Sequence, residues 1–365
     1  MKIALLPSNV TLQDSPAILV YPDLVNSNIA LAVSIAGGAE RLRPHAKTHK
    51  MAEVTSMLTD AGIYKFKCAT IAEAEMLAAS GAQHVLLAYQ PTAVKASRLR
   101  ALAAAYPSVV FGYLVDNEAS ATTIHKILDA PNLRCWIDVN VGMNRTGLRP
   151  GLVVGLFDFL KNSLGQQPEG LHAYDGHLHI SDLNTRFGQA QVILEEVRSV
   201  RRFIEKEYDY ALQVVMGGTP AFPYYAAQPD VDASPGTFVF WDAGYATMFP
   251  DMKFDIAALL ITRVISVIDD NHICLDLGHK SVAAEGPLPR VQFPAHPSVK
   301  VISQSEEHMV VQVPDNYNVN VGDVWAGVPN HICPTIALYE SVAVVENENI
   351  TGEWRVISRD RKITW

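Results

Sequence analysis

Residues 109–128, VVFGYLVDNEASATTIHKIL, carry the pattern that decides the fold. Val109–Val115 is a short run rich in β-branched and aromatic side chains, and Glu118–Leu128 is a longer amphipathic stretch, so the pair reads as one βα unit. The same alternation extends in both directions. Strands are predicted at Ala17–Tyr21, Arg43–Lys47, Lys65–Ala69, His84–Ala88, Arg134–Val139, Leu171–Gly176, Leu212–Met216 and Phe238–Asp242, with helices such as Thr70–Ala79, Val94–Ala105 and Gln189–Tyr208 between them. This many alternations predict an α/β fold over residues 21–250, closed as a (β/α)8 barrel of the TIM type rather than spread as a small doubly wound sheet.

After Asp251 the texture changes. Runs such as ALLITRVISVI, VKVISQ, HMVVQV and SVAVVEN are broken by Gly, Pro, Asn and Asp with no long helical pattern, which predicts a C-terminal antiparallel β domain over 251–365. Residues 1–20 hold short apolar runs of the same kind and are assigned to that domain, making it discontinuous. A chain of 365 residues with 49% apolar and 18% charged side chains is long enough for two domains and excludes a disordered scaffold. Its 29 basic and 38 acidic residues give a net charge of −9, which argues against nucleic acid or a membrane surface as partner. No apolar run approaches the roughly 18 residues of a membrane span. The opening apolar run is too short for a secretory signal. Cys68, Cys135, Cys274 and Cys333 are widely spaced without a CxxC pair, so a reducing cytoplasmic setting is expected.

Arg43-Pro44-His45-Ala46-Lys47-Thr48-His49-Lys50 places a lysine and two histidines where an early strand ends, which in a barrel is the catalytic face. A lysine desolvated there suits Schiff-base formation with a carbonyl or with pyridoxal phosphate. Strand alternation puts Lys47 on one face with His45 and His49, whereas Lys50 falls beyond it. The plainer reading is a set of solvated loop charges. RPHAKTHK resembles the cofactor-lysine motif of the D-threonine aldolase and D-serine dehydratase family, pyridoxal-phosphate enzymes with an alanine-racemase-like barrel followed by a β domain. The resemblance covers nearly the whole chain and implies that Lys47 holds the cofactor.

Three further barrel segments resemble the family in order. Asp138-Val139-Asn140-Val141-Gly142-Met143-Asn144-Arg145-Thr146-Gly147 offers Arg145, which the resemblance assigns to the cofactor's phenolate oxygen. Ala173-Tyr174-Asp175-Gly176-His177-Leu178-His179 offers Tyr174 beside the cofactor ring and two imidazoles able to titrate near neutrality. Aldolases of the family carry a base histidine six positions after that tyrosine. Here that position is Ile180, so His177 and His179 stand as the candidate catalytic histidines. Met216-Gly217-Gly218-Thr219-Pro220 and Asp242-Ala243-Gly244-Tyr245 follow late strands, where backbone N–H groups and the Thr219 hydroxyl could receive a phosphate. Gly217, Gly218, Thr219, Gly244 and Tyr245 are therefore assigned to the cofactor, although turns alone explain most glycine pairs.

In the β domain, Pro329-Asn330-His331-Ile332-Cys333-Pro334-Thr335 places an imidazole and a thiol at i, i+2, a spacing that on an extended segment turns both the same way. Such a pair favours zinc, with manganese as the alternative, and leaves positions open for water and substrate. His272-Ile273-Cys274 has the same spacing in a predicted strand, so spacing alone does not single out the site. PNHxCPT resembles the family's metal segment and the other does not. Dehydratases of the family carry His-x-Cys here and aldolases His-x-Asp, which leans toward dehydration.

The resemblance implies a metal-assisted pyridoxal-phosphate lyase of β-hydroxy-D-amino acids, assembled as a homodimer. Lys47 would remove the α-proton, and the metal would act on the β-hydroxyl in either elimination or retro-aldol cleavage. An amino-acid racemase with the same barrel and a non-catalytic pyridoxal-phosphate carrier are the alternatives. A carrier usually resembles the barrel alone, so the β domain with His331 and Cys333 argues against it.

Overall fold

A computed structural model describes residues 2–365. Backbone packing divides the chain into two compact units: Ala30–Lys47, Ala52–Gly236 and Asp360–Trp365 form one, and the opening segment through Ile29, Thr48–Met51 and Thr237–Arg359 form the other.

The chain's first strand, β1 (Ala17–Val20), belongs to the second unit. The first unit is built on parallel strands β2 (Lys65–Cys68), β3 (His84–Leu87), β4 (Val110–Val115), β5 (Leu133–Val139), β6 (Gly170–Ala173), β7 (Gln213–Met216) and β8 (Asp232–Ala233), hydrogen-bonded in that order. The ring is closed by residues 42–45. Arg43 and His45 donate to the carbonyls of Ala233 and Pro235, and Lys67 donates to that of Pro44. This segment takes the place of the predicted strand Arg43–Lys47, but it pairs only through isolated bridges and turns into a 3-10 helix at Ala46–Thr48. Pro44 carries no N–H for a ladder, which fits the irregular pairing.

Trp136 fills part of the barrel interior. It clusters with Leu86, Leu114 and Val215 from neighbouring strands. A Cβ at Gly112 would stand 2.7 Å from Leu86 and 2.9 Å from the Trp136 indole nitrogen, and one at Gly170 would stand 2.6 Å from the indole ring. Small residues on β4 and β6 thus make room for one large one on β5, forming a packed plug rather than a pore. Arg43 lies 5.3 Å from the Trp136 ring and shares the carboxylate of Asp232 with Lys65.

The second unit carries β9 (Ala258–Asp269), β10 (His272–Leu275), β11 (Val291–Gln292), β12 (Lys300–Gln304), β13 (Met309–Gln312), β14 (Val324–Pro329), β15 (Ser341–Glu346) and β16 (Asn349–Arg355). All of its pairings are antiparallel except that of β1 with β15. Within it, β1 lies between β9 and β15. Asp276 ties this unit together by accepting from the Thr262 hydroxyl, the Arg263 N–H and the Ser15 hydroxyl. The predicted strand Phe238–Asp242 is not one. It is a buried 3-10 turn, Thr237–Val239, continued through Trp241 at positive φ. Its apolar residues are buried in either conformation, so hydrophobicity alone could not separate the two.

Candidate active site

At the carboxyl ends of the barrel strands three cations surround one aromatic ring. Lys47 Nζ and Lys67 Nζ each lie 5.7 Å from the Tyr174 ring centroid, and the Arg145 guanidinium carbon lies 5.1 Å from it. Lys47 arrives on the 3-10 turn that ends the closing segment, and Tyr174 directly follows β6. Arg145 sits in the turn after β5, which the Asn140 side chain organises by accepting from the N–H groups of Gly142 and Asn144. Gly142 and Asn144 both have positive φ, which glycine and asparagine tolerate best.

Beside this ring is a small recess whose wall includes Asp138, Arg145, His172 and Tyr174. Burial by itself would raise the Asp138 pKa, but hydrogen bonds with His172, Thr146 and Gln90 hold it below the usual aspartate value. Burial also lowers the His172 pKa, opposed by the bond to Asp138. At neutral pH the pair is therefore an aspartate accepting from the Nδ1–H of a neutral imidazole. His172 Nε2 is buried without a hydrogen-bond partner among the described residues.

The Gly217–Gly218–Thr219 turn follows β7 and packs against two tyrosines. Gly217 has a φ of +70°, and a Cβ there would stand 2.5 Å from Tyr225, while one at Gly218 would stand 2.8 Å from Tyr174. Tyr225 donates its hydroxyl to the fully buried Asp175, whose pKa is raised by burial. Thr219 accepts the Gly236 N–H through Oγ1. Pyridoxal phosphate requires an amine for its carbonyl, a cation for its ring oxygen, an aromatic wall and a cradle for its phosphate. Lys47, Arg145, Tyr174 and this turn fit those requirements, and the cradle is one that a Cβ would fill.

Some expectations change. His49 does not continue a strand face with His45 and Lys47, because the chain turns at Ala46–Thr48 and His49 is buried in the second unit. There its Nδ1 bonds the Met51 backbone, and burial pushes its pKa down to about 3. His177 and His179 are both exposed, in the turn after β6, and the His177 ring lies over Gly142. Lys67, His172, Asp175 and Tyr225 escaped the sequence reading. The available signal for Lys67 was a charge in the interior of a predicted strand, two residues from Lys65 and so on the same face.

In the second unit, Asp242 caps the helix Ala243–Met248 by accepting the Tyr245 N–H, and it also accepts the N–H of Ile332. Its complete burial pushes its pKa up to about 6. The Gly244 N–H is directed at the Asn330 carbonyl, and Tyr245 packs on Trp241 and Phe249. His331 and Cys333 do not share an extended segment. His331 is extended and caps the short helix Ile332–Ile336, of which Cys333 is part, so the i, i+2 rule for a strand does not apply. Their side chains nonetheless hydrogen-bond one another. Glu285 bonds the imidazole at Nδ1, and Cys333 Sγ lies 3.1 Å from Thr48 Oγ1. Burial would lower the His331 pKa, but Cys333, Glu285 and Asp242 push it up to about 9. Among the described residues no three His, Cys, Asp or Glu side chains are grouped to hold a metal ion. An imidazole and a thiolate suit zinc chemically, as two ligands of an open site.

The family model described as "Alanine racemase, N-terminal domain" matches residues 20–242, and that described as "Putative serine dehydratase domain" matches residues 257–345. The chain thus belongs to the alanine-racemase-like, fold-type III pyridoxal-phosphate enzymes, within the D-threonine aldolase and D-serine dehydratase family. D-threonine aldolase of Arthrobacter sp. is 25% identical over 328 residues, covering 87% of this chain and 85% of the relative. The crystal structure of D-threonine aldolase from Filomicrobium marinum superposes with a TM-score of 0.88 at 24% identity over 98% of each chain. D-threo-3-hydroxyaspartate dehydratase from a Delftia strain gives a TM-score of 0.80 at 19% identity over 98% of this chain and 99% of the other. These two likenesses establish the fold.

Proposed function

We propose that this protein is a pyridoxal-phosphate-dependent, metal-assisted lyase of β-hydroxy-D-amino acids. The observation that carries the reading is the convergence of Lys47 and Arg145 on Tyr174 beside the glycine turn. Lys47 anchors the cofactor and moves the α-proton at its Nζ. Arg145 holds the cofactor's ring oxygen, Tyr174 walls the ring, and Gly217, Gly218 and Thr219 receive the phosphate. When bound, the cofactor supplies an electron sink for charge left at the α-carbon. His177 and His179 are exposed groups able to exchange protons with the substrate, as base or acid at the β-hydroxyl.

His331 and Cys333 would hold a zinc ion, with manganese as the alternative, which would supply Lewis acidity toward a hydroxyl. One structure of the hydroxyaspartate dehydratase is a cysteine-to-alanine variant described as metal-free, which supports a metal in this group of folds. The thiol in place of a carboxylate favours elimination over carbon–carbon cleavage. No helix among the described residues is long and apolar enough to cross a membrane, and none of the four cysteines is in a disulfide, which fits a reducing cytoplasmic setting; the homodimer rests on the family resemblance alone.

The test is product analysis with D-threonine and D-serine, with and without EDTA. Keto acid and ammonia establish a dehydratase, and glycine with acetaldehyde an aldolase. Epimer formation alone, unaffected by EDTA, overturns the lyase reading in favour of a racemase. Bound cofactor with no turnover at all leaves the carrier.

A further inference from the structure

Lys67 is the least expected side chain in the barrel. It is 2% exposed, and among the described residues no carboxylate lies within ion-pair distance of its Nζ. The nearest recorded partner is the Gly217 carbonyl at 3.4 Å. A buried ammonium held by one long carbonyl contact is costly, and an apolar side chain of similar length would serve packing better. Its position has a second feature. Arg43 and Lys65, the neighbouring cations, both pair with Asp232, whereas Lys67 reaches across from β2 to the first carbonyl of the glycine turn after β7.

We propose that Lys67 is a second functional lysine of the barrel, a binding residue that supplies the positive counter-charge for the cofactor's phosphate at the Gly217–Gly218–Thr219 turn. The inference rests on the cofactor reading above. In that reading Lys47 is consumed by the cofactor's carbonyl and Arg145 by its ring oxygen, so neither is left for the phosphate. The turn itself offers only N–H dipoles and the Thr219 hydroxyl, and a phosphate anion in a buried site requires a cation. Lys67 is the cation whose Nζ already lies at that turn.

The groups facing Lys67 decide when it is charged. Burial, Lys47 and Arg43 press its pKa down while Asp175 and Asp138 raise it, with a net result of about 7. His172, also close enough to feel the Lys67 charge, has its own pKa lowered by burial and is neutral over the same range. Lys67 therefore loses its charge as pH rises through neutrality. The phosphate gains negative charge from about pH 6 upward, which on its own would strengthen binding.

The experiment compares the affinity of the cofactor-free full chain for pyridoxal phosphate and for pyridoxal, which lacks the phosphate. Lys67→Met is expected to lose about tenfold in affinity for the phosphorylated form, the effect of one charged contact, with pyridoxal binding unchanged. Lys67→Arg is expected to restore most of the difference. In the unmutated protein the preference for pyridoxal phosphate is expected to fall as pH rises through 7. Equal losses for both ligands in Lys67→Met, or an unchanged ratio, overturn the proposal. A preference in the unmutated protein that only rises with pH also overturns it, and needs no variant to fold. If the unmutated protein captures neither ligand, the cofactor reading itself fails and this inference falls with it, a result distinct from an unchanged ratio.

Discussion

His172 Nδ1 donates to Asp138 Oδ1 across 2.8 Å, with both side chains almost completely buried. The same carboxylate accepts from the Gln90 side chain at 2.7 Å through its other oxygen. One aspartate thus sets the tautomer and orientation of a buried imidazole at the wall of the site. Asp138→Ala strands the buried His172 donor and removes one of the two carboxylates that Gln90 reaches, and it is expected to cost about 3 kcal/mol, read as a shift in the denaturant midpoint. A loss near zero would show that the pair is not built into the folded state.

The pH dependence of that contribution has a definite sign. Asp138 has a folded pKa below its unfolded value, so its stabilisation is present above the usual aspartate pKa and is lost as pH falls through the folded one. The gap in melting temperature between the unmutated protein and Asp138→Asn is expected to narrow as pH drops below about 4. A gap that stays constant to lower pH counts against the assignment.

The glycine turn offers a contrast between two adjacent substitutions. Gly217→Ala places a side chain at positive φ and 2.5 Å from a buried tyrosine, so about 2–3 kcal/mol of stability should be lost. Gly218→Ala meets only the Tyr174 ring, at 2.8 Å. It is expected to weaken cofactor capture about tenfold or more while the melting temperature changes little. Absorbance of the bound cofactor and thermal melts of both variants check the pair.

Lys67 should make the cofactor-free protein less stable than it could be. Its folded pKa lies below its unfolded one, so the unfolded chain binds more protons between about pH 7 and 10.5, and stability rises with pH across that window. Lys67→Met is expected to be the more stable protein at pH 6, by up to about 5 kcal/mol, with the difference vanishing toward pH 10.5. Urea unfolding of the cofactor-free proteins at several pH values measures it.

The metal proposal is tested by binding rather than turnover. His331→Ala and Cys333→Ala are expected to abolish stoichiometric zinc, while Glu285→Gln, which touches only the imidazole, should weaken it about 10–100-fold. Cofactor capture should survive in all three. Zinc retained by Cys333→Ala would sink the assignment.

The class of fold was legible without coordinates because it rests on short-range patterns, and the motifs around Lys47, Arg145 and Tyr174, which the fold brings together, could be picked out as candidates. Val109–Val115 and Lys65–Ala69 became strands within a residue or two, since period and composition act locally. The predicted strands Arg43–Lys47 and Phe238–Asp242 are not strands although both are largely buried, because Pro44 and the 3-10 turn at Ala46–Thr48 interrupt the first and a 3-10 turn followed by Trp241 at positive φ interrupts the second.

The sequence by itself determined an alternating barrel and a β-rich second unit, and it singled out Lys47, Arg145, Tyr174, His331 and Cys333 as candidate groups. Tertiary structure alone decided that Lys67 comes to lie at a turn some 150 residues further along, and that Asp138 meets His172 from the adjacent strand. Those contacts depend on strand register and barrel closure. A side chain's charge state and partners follow from what closure buries beside it, and the local sequence contains no record of those neighbours.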